Sequence, residues 1–179
     1  MSVPRICVVG SESTGKTTLC RRLAEYYGTL WVPEYGREYS IAKVQREGTR
    51  VFVEDEFVHI ARVQQQREDE HAARANRVLI CDTDAFGPKI WCEHFLGRPP
   101  SHWPVPLPPI DLYLLPYPDT PYEADAIRDG EHKRAWMHER FIAEFTKDAR
   151  PYVVLHGTYA EREALAIAAI DEVLQRERR

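Results

Sequence analysis

Long hydrophobic runs are the feature that this sequence most clearly lacks. No apolar stretch approaches the roughly 18 residues that a transmembrane helix needs. Residues 1–5 lead directly into an apolar segment and show no signal-peptide core. Internal repeats and a disordered tail are also absent, which excludes a repeat architecture. We therefore expect a cytoplasmic protein.

Cysteine is scarce, with four residues in a chain of 179. These cysteines are widely spaced, form no C-x-x-C motif, and lie in apolar runs or predicted helices: Cys7, Cys20, Cys81 and Cys92. The pattern predicts buried, reduced thiols and excludes a disulfide framework or a cysteine-based zinc site. The seven histidines form no pair with metal-ligand spacing, and we assign none of them a catalytic role.

A large excess of charge of either sign is also missing, since the formal net charge is −4. This balance provides no general attraction to nucleic acid or to an anionic membrane, so neither is an expected partner. The composition points to no particular protein partner. With 44% hydrophobic and 29% charged residues, the chain has the composition of a globular protein. Its length predicts one domain, residues 1–179.

A phosphate-binding loop is the clearest motif that the sequence contains. The pattern G-x-x-x-x-G-K-T occupies residues 10–17, between a β-branched apolar run at 6–9 and an amphipathic run with helical spacing. A strand followed by a glycine-bounded loop and a helix is the structural context that this motif requires. The sequence therefore predicts a site for a nucleoside triphosphate.

Each position of the motif has a physical role. Gly10 and Gly15 permit sharp turns, so that successive main-chain N–H groups point into one anion-binding concavity. The helix expected from about Lys16 directs its positive dipole end to the same place. The Lys16 ammonium contacts the β- and γ-phosphate oxygens, and the Thr17 hydroxyl ligates Mg²⁺. A nucleoside triphosphate and Mg²⁺ are therefore the expected ligands of this loop.

Strands and helices alternate along the chain. Apolar runs predict strands at 6–9, 30–32, 77–81, 111–115 and 152–156. Helical periodicity predicts helices from about 16 to 27, at 53–76, 90–96 and 133–148, and after a capping box formed by Thr158 and Glu161. This alternation predicts an α/β protein with a parallel sheet and right-handed crossovers.

Acidic residues follow two of these strands. Asp82 closes the third strand, as a carboxylate that supports Mg²⁺ opposite Thr17 does. Asp84 lies two residues further, so in an extended chain its side chain points the same way. Glu34 follows the second strand in a predicted strand-end loop, 34–38, at the same edge of the sheet. Glu34 and Asp84 are both candidates for the base that accepts a substrate hydroxyl proton.

Two arginines are candidates for binding anionic groups. Arg37 is placed to clamp a substrate carboxylate or phosphate, or simply to pair with Glu38. Arg128 lies in a polar segment, about 117–131, that we interpret as a mobile lid. From a lid an arginine can fold over the transferring phosphate, whereas pairing with Asp125 at the surface is the alternative.

Aromatic side chains are frequent in the same regions: Tyr35, Tyr39, Trp91 and Phe95. Such side chains hold a flat heteroaromatic ring by stacking and a cationic ring by cation–π contact. Each of them also suits the hydrophobic core. Tyr35 is the strongest substrate-binding candidate because of its predicted loop position, and Trp91 is the second.

Several motifs together resemble a known family. GSESTGKTTL at 10–19, EYGRE at 34–38 and ICDTD at 80–84 resemble the nicotinamide riboside kinase domain of bacterial NadR-type proteins, within the P-loop kinase superfamily. TPYEADAIR at 120–128 is similar to the T-P-W-x-x-D-G-x-R lid of that family, and GTYAER at 157–162 to its G-x-Y-x-E-R segment. The matches cover nearly the whole chain in the family's order.

This resemblance implies a P-loop NTPase three-layer sandwich, in which a five-stranded parallel sheet of order 2-3-1-4-5 has helices on both faces and a lid. It implies ATP-dependent phosphorylation of the 5′-hydroxyl of nicotinamide riboside. The implied ATP-phosphate residues run from Gly10 to Thr18: Gly10, Ser13, Thr14, Gly15, Lys16, Thr17 and Thr18. The residues implied at the riboside are Glu34, Tyr35, Arg37 and Asp84. Those implied in the lid are Asp125 and Arg128. Those implied beside the adenine are Gly157, Thr158 and Tyr159.

The sequence departs from this family in ways that concern the acceptor. Tyr122 and Ala126 stand where the lid has tryptophan and glycine, and 85–89 lack the family's threonines. A kinase for another nucleoside or nucleotide is therefore one alternative. A GTPase-like, nucleotide-dependent binding module is another, but the chain contains no N-K-x-D guanine motif, which favours ATP and a kinase.

Overall fold

The computed structural model describes residues 3–107, 109–123 and 131–176. Five short strands form its sheet: β1 Arg5–Val8, β2 Trp31–Val32, β3 Leu79–Asp82, β4 Leu112–Pro116 and β5 Tyr152–Leu155. They pair in the order β2-β3-β1-β4-β5, and each pairing is parallel. The predicted parallel sheet and its strand order are confirmed.

Six α-helices connect and flank these strands: α1 Lys16–Tyr27, α2 Tyr35–Glu47, α3 Glu54–Ala72, α4 Gly87–Leu96, α5 Arg134–Lys147 and α6 Tyr159–Arg176, with a short 3₁₀ turn at Glu131–Lys133. The first helix begins at Lys16, as the motif predicts. The expected capping box is present, because the N–H of Thr158 donates to Glu161 Oε2 at 2.8 Å and the N–H of Glu161 to Thr158 Oγ1 at 3.4 Å.

The sheet is buried on both faces. Alternate residues of a strand point to opposite faces, so β1 contributes Ile6 and Val8 to one core and Cys7 to the other. The first core packs the sheet against α1 and α6, through residues such as Leu23 and Ile170. The second packs it against α4 and α5, with Phe86, Ile90, Met137, Phe141 and Phe145. The expected three-layer sandwich is confirmed.

Residues 34–38 differ from the sequence-based prediction. They do not form a strand-end loop, because the helix α2 begins at Tyr35, directly after the extended residue Glu34, and ends at Gly48 with φ +66°. Lys43 is the only residue of α2 that is buried. The helix therefore has no apolar stripe, which is the signal from which a helix is recognised in a sequence.

All four cysteine side chains are buried in the interior, as predicted: Cys7, Cys20, Cys81 and Cys92. Burial raises the pKa of each thiol above its ordinary value. In the described ranges, none of the helices combines the length and the apolar character that a membrane crossing requires.

Candidate active site

The phosphate loop connects β1 to α1 through residues with left-handed backbone. Gly10 has φ +132°, Gly15 has φ +80°, and Ser13 between them has φ +55°. A Cβ atom at Gly15 would lie 2.6 Å from the ring of Tyr159. The left-handed backbone therefore favours glycine at position 15, and a Cβ atom there would displace the ring of Tyr159.

Hydrogen bonds within the loop fix its curvature. The Thr14 hydroxyl donates to the carbonyl oxygen of Ser11 at 2.9 Å. The Lys16 ammonium donates to the same oxygen at 2.8 Å, so its charged end lies across the loop. Since α1 begins at Lys16, the positive end of the helix dipole also points at this loop. The arrangement is that of an anion-binding nest.

A cavity of about 440 Å³ lies above the loop and extends toward the ends of β2 and β3. Of the residues named from the sequence, the structure brings together the following at its wall: Ser13, Thr14, Gly15, Lys16, Thr17, Thr18, Glu34, Arg37, Asp84, Trp91 and Tyr159. Phe57, Ile60 and Gly36 also line it, and Phe57 and Ile60 pack in one apolar cluster with Trp91. The cavity therefore joins a phosphate-binding end to an end with aromatic and acidic side chains.

Other named residues do not line this cavity: Gly10, Tyr35, Asp82, Gly157 and Thr158. Gly10 and Asp82 belong to the framework immediately beneath it. Asp125 and Arg128, assigned to the lid, lie outside the described residues.

Tyr35 packs into a group of side chains beside the cavity. Its ring lies 6.1 Å from that of Tyr39 and 6.0 Å from that of His59, measured between centroids. The Arg67 guanidinium lies over the Tyr35 ring at 4.5 Å. The loop position from which a role for Tyr35 was predicted does not exist, because Tyr35 is the first residue of α2.

Thr17 and Asp82 form a short contact at the base of the cavity. The Thr17 hydroxyl donates to Asp82 Oδ2 at 2.5 Å. Asp82 Oδ1 is buried and accepts no hydrogen bond from any residue that the structure describes. Burial raises the pKa of Asp82, and the nearby Lys16 opposes this rise. A hydroxyl next to a carboxylate with an unused oxygen fits the oxygen ligands that Mg²⁺ prefers.

Glu34 is a half-buried carboxylate at the wall of the cavity. Burial raises its pKa to about 7, against the opposing effect of Lys16, and Asp82 adds a further rise. In residues 3–107, 109–123 and 131–176, no hydrogen-bond donor contacts the carboxylate of Glu34. A carboxylate with a pKa near neutrality and unused oxygens has the properties of a general base.

Asp84 is also at the wall, but protein donors hold both of its oxygens. Oδ1 accepts hydrogen bonds from the N–H groups of Phe86 at 3.1 Å and Gly87 at 3.2 Å. Oδ2 accepts one from the Tyr113 hydroxyl at 2.7 Å. The chain is not extended between Asp82 and Asp84, because Thr83 has φ +67°. The extended backbone on which the sequence-based placement of the two aspartates rested is therefore absent at Thr83.

Gln64, on α3, is a cavity residue that the sequence did not identify as functional. Its side-chain oxygen accepts a hydrogen bond from the N–H of Tyr35 at 2.9 Å. Its side-chain nitrogen donates to the carbonyl oxygen of Thr83 at 3.2 Å and to Glu68 Oε1 at 3.1 Å. A polar residue at the inward helical spacing of α3, one turn after Ile60 and Ala61, is the signal that could have identified it.

The segment after β4, where the sequence predicts a lid, is hydrogen-bonded to the phosphate loop through Thr120 and Glu123. The Thr120 hydroxyl donates to the carbonyl oxygen of Ser13 at 2.6 Å. The Ser13 hydroxyl donates to the carbonyl oxygen of Glu123 at 3.0 Å. Arg134, at the start of α5, donates to the carbonyl oxygens of Thr120 at 2.8 Å and Ser13 at 3.3 Å. Ser13 therefore links the loop to the segment that follows β4.

A parallel sheet between two layers of helices, with a glycine-bounded loop before α1, defines the class of this protein. It is a P-loop nucleotide-binding protein. A cavity with a phosphate-binding end is the site that this class shares. The chain belongs to the AAA domain family, whose model matches residues 5–162.

Comparison with known proteins identifies similar sequences and structures. The chain is 30% identical, over 149 residues, to the trifunctional NAD biosynthesis/regulator protein NadR of Salmonella typhimurium, covering 82% of this chain and 36% of that protein. It is 30% identical over 128 residues to the Escherichia coli protein of the same name, covering 70% of this chain and 31% of that protein. The chain thus spans about a third of the length of these relatives.

Solved structures show the same fold at lower sequence identity. A crystal structure of NadR protein in complex with NR superposes with a TM-score of 0.72 at 23% identity, over 97% of this chain and 52% of that one. Deoxyadenosine kinase from M. mycoides superposes with a TM-score of 0.67 at 11% identity, over 94% of this chain and 99% of that one. These likenesses establish the architecture.

Proposed function

We propose that this chain is a kinase that transfers the γ-phosphoryl group of ATP to the 5′-hydroxyl of nicotinamide riboside, giving nicotinamide mononucleotide and ADP. The observation that carries the proposal is a shared cavity, whose wall contains both the phosphate loop and Glu34. One end supplies main-chain N–H groups and Lys16 for a polyphosphate. The other supplies a base and an aromatic wall for an alcohol attached to a flat ring.

The relatives support this choice of acceptor. The two similar curated proteins are named for NAD biosynthesis, and one similar structure was determined with NR bound. Another structure of NadR protein contains NAD and AMP-PNP, an ATP analogue. The aromatic end of the cavity, with Trp91 and Phe57, is chemically suited to a cationic pyridinium ring.

The chemistry follows from the positions of the side chains. The N–H groups of the loop and the Lys16 ammonium bind the β- and γ-phosphates and orient the γ-phosphorus toward the acceptor. The ionised Glu34 accepts the proton of the 5′-hydroxyl as its oxygen bonds to phosphorus. The bond between the γ-phosphorus and the bridging oxygen breaks, and ADP leaves with that electron pair.

Glu34 is the better candidate for the base because its oxygens are not held by protein donors. Asp84 uses both of its oxygens to hold Tyr113 and the first turn of α4. In this proposal Asp84 holds the part of the cavity wall that lies beneath the acceptor, and Arg37 contacts the acceptor itself.

Thr17 and Asp82 are the residues that would hold Mg²⁺. When bound, the ion neutralises charge on the β- and γ-phosphate oxygens. The unpaired Asp82 Oδ1 and the hydroxyl of Thr17 would supply oxygen ligands for it.

The proposal extends to the arrangement of the whole chain. Residues 1–179 form one P-loop kinase domain with a lid at about 117–131, in which Asp125 and Arg128 contact the phosphates or the acceptor. Gly157, Thr158 and Tyr159 border the adenine, and the protein acts in the cytoplasm on a small molecule.

A substrate panel tests this function. The purified chain is incubated with ATP and Mg²⁺ and one acceptor at a time: nicotinamide riboside, a deoxynucleoside or a nucleoside monophosphate. Chromatography with mass detection identifies the product. We expect nicotinamide mononucleotide from the first acceptor alone, and we expect Lys16→Ala to abolish its formation while the circular dichroism spectrum stays that of the folded chain.

Two outcomes of the panel would replace the proposal. Turnover of a deoxynucleoside with nicotinamide riboside inert would assign the chain to the nucleoside kinases, with which it shares a fold. Tight binding of GDP without turnover of any acceptor would assign it to the nucleotide-dependent binding modules.

A further inference from the structure

We propose that Arg162 is the positioning residue that fixes the nucleotide-binding loops to one another and thereby sets the affinity for ATP. The inference rests on the proposed ATP-dependent function. Arg162 lies on α6, outside the cavity wall, and only 2% of its surface is exposed. Its guanidinium contacts three segments of chain that follow three neighbouring strands of the sheet, β1, β4 and β5.

All three nitrogens of the Arg162 guanidinium donate hydrogen bonds. One terminal nitrogen donates to the carbonyl oxygen of Thr14 at 3.1 Å. The other donates to the carbonyl oxygen of Tyr117 at 2.9 Å and to the carboxylate of Asp119. The Nε atom donates to the carbonyl oxygen of Gly157 at 2.9 Å. A buried cation with this number of partners holds those partners in a fixed geometry.

The contact with Thr14 orients the phosphate loop. The carbonyl of Thr14 and the N–H of Gly15 belong to one planar trans peptide, so they point in opposite directions. A carbonyl held against Arg162 therefore directs the N–H of Gly15 away from Arg162. Gly15 lies in the cavity wall, so that N–H is available to a phosphate oxygen. The positive guanidinium also polarises this peptide, which strengthens the N–H as a donor.

The contact with Gly157 orients the loop after β5. Gly157 has φ +88°, and the next N–H, of Thr158, is held by Glu161 Oε2 at 2.8 Å. This turn places the ring of Tyr159 against Gly15, in the cavity wall. Arg162 thus holds both the phosphate loop, through Thr14, and the loop after β5, through Gly157. Tyr159 contacts the phosphate loop where these two loops meet.

Lysine does not reproduce this arrangement. Its ammonium is a single point of charge, whereas the acceptors of Arg162 surround a planar fork on three sides. Arg162→Lys keeps the charge beside Asp119 but leaves one or more buried carbonyls without a donor. The loops then lose their relative position while α6 keeps its remaining packing. The defect should appear in ATP binding and much less in acceptor binding.

The experiment compares Arg162→Lys with a matched control, Arg140→Lys. Arg140 also forms charged hydrogen bonds, to Glu93 and Glu144, but it joins α5 to α4 and has no contact with the phosphate loop. The Kd for ATP with Mg²⁺ is measured by calorimetry without acceptor, and the KM values for ATP and for nicotinamide riboside are measured separately. Thermal unfolding shows that each variant is folded.

We expect Arg162→Lys to raise the Kd and KM for ATP about tenfold or more, and to change the KM for nicotinamide riboside less than about threefold. Asp119→Asn, a milder change at the same contact, should raise the Kd for ATP in the same direction by a smaller factor. Arg140→Lys should leave the Kd for ATP unchanged.

The inference is overturned if folded Arg162→Lys binds ATP like the wild type, or if both KM values rise in parallel, as a general loss of structure would produce. It is also overturned if Arg140→Lys shows the same defect. Wild-type protein that binds ATP and phosphorylates no acceptor would remove the proposed function alone, since the effect of Arg162 is measured on ATP binding. Wild-type protein that does not bind ATP would remove both.

Discussion

The side-chain oxygen of Gln64 accepts a hydrogen bond from the main-chain N–H of Tyr35, with 2.9 Å between the two atoms. Tyr35 is the residue directly after Glu34, so this bond fixes the start of α2 relative to α3. The amide nitrogen of Gln64 donates to Thr83, the residue directly before Asp84. One buried side chain therefore positions the backbone next to both cavity carboxylates.

Replacing Gln64 should impair the chemical step. We expect Gln64→Leu to lower kcat about tenfold, since a base displaced by a fraction of an ångström loses its alignment with the hydroxyl. The KM for ATP should change little, because Gln64 has no contact with the phosphate loop. Gln66→Leu is the control on the same helix, where Gln66 donates to Glu70 at the surface. Equal kcat values for both variants would contradict this role.

Activity should depend on the ionisation of Glu34. The base must be deprotonated to accept a proton, and burial raises its pKa to about 7. We therefore expect kcat/KM to rise with pH and to level off above an apparent pKa of about 7. Glu34→Gln should lower kcat by about 10² or more and remove this ionisation from the pH profile. A profile that stays flat from pH 5 to pH 9 would exclude Glu34 as the base.

The same carboxylate should make stability depend on pH. The folded-state pKa of Glu34 is about 7, above its ordinary value of 4.5, so between these values the native chain binds more protons than the unfolded chain. The contribution of protonated Glu34 to the free energy of unfolding is therefore fully present below pH 4.5, and it is lost as the pH rises through 7. Glu34→Gln should have a Tm above that of the wild type at pH 8, by about 3 °C or more, and the gap should narrow toward pH 5. Calorimetry at pH 5 and at pH 8 measures the Tm difference between the variant and the wild type. A difference that grows as the pH falls would refute this prediction.

Asp82→Asn should weaken the response to Mg²⁺. An amide in place of the carboxylate removes negative charge opposite Thr17, so the Mg²⁺ concentration for half-maximal rate should rise about tenfold at saturating ATP. The variant is compared with Asp111→Asn, which alters a carboxylate that accepts from the N–H of Arg5 far from the phosphate loop. An unchanged Mg²⁺ titration for Asp82→Asn would show that this residue does not support the ion.

Asp84→Asn should affect stability more than chemistry. Asp84 accepts three hydrogen bonds in a buried environment, and an amide can replace only part of its accepting capacity. We expect the free energy of unfolding to fall by about 1–3 kcal/mol, with a loss in kcat smaller than that of Glu34→Gln. Urea unfolding and steady-state rates measure the two effects. If kcat falls further for Asp84→Asn than for Glu34→Gln, the base is Asp84.

Much of the fold could be predicted because its signals are local. The apolar runs of β1, β3 and β4 and the glycines of the phosphate loop are visible over fewer than ten residues each. The strand order came from the resemblance to a family. The helix α2 could not be predicted, because it lies mostly exposed on the surface and has no apolar stripe.

The details of the site depend on contacts between distant parts of the chain. The bond from Gln64 to Tyr35 spans 29 positions, and no pattern near either residue encodes it. The left-handed conformation of Thr83 is equally invisible, since threonine does not favour it. Sequence reasoning therefore found the two carboxylates, whereas their different environments became apparent only in the folded chain.

The burial of every cysteine has a practical consequence for experiments on this protein. With no thiol at the surface of the native state, an alkylating reagent should react only as the chain unfolds, so its rate of reaction reports global opening. A single cysteine introduced at Glu123 would then be the sole site for a fluorophore. Such a label would report whether the segment after β4 leaves the phosphate loop, to which hydrogen bonds with Ser13 join it.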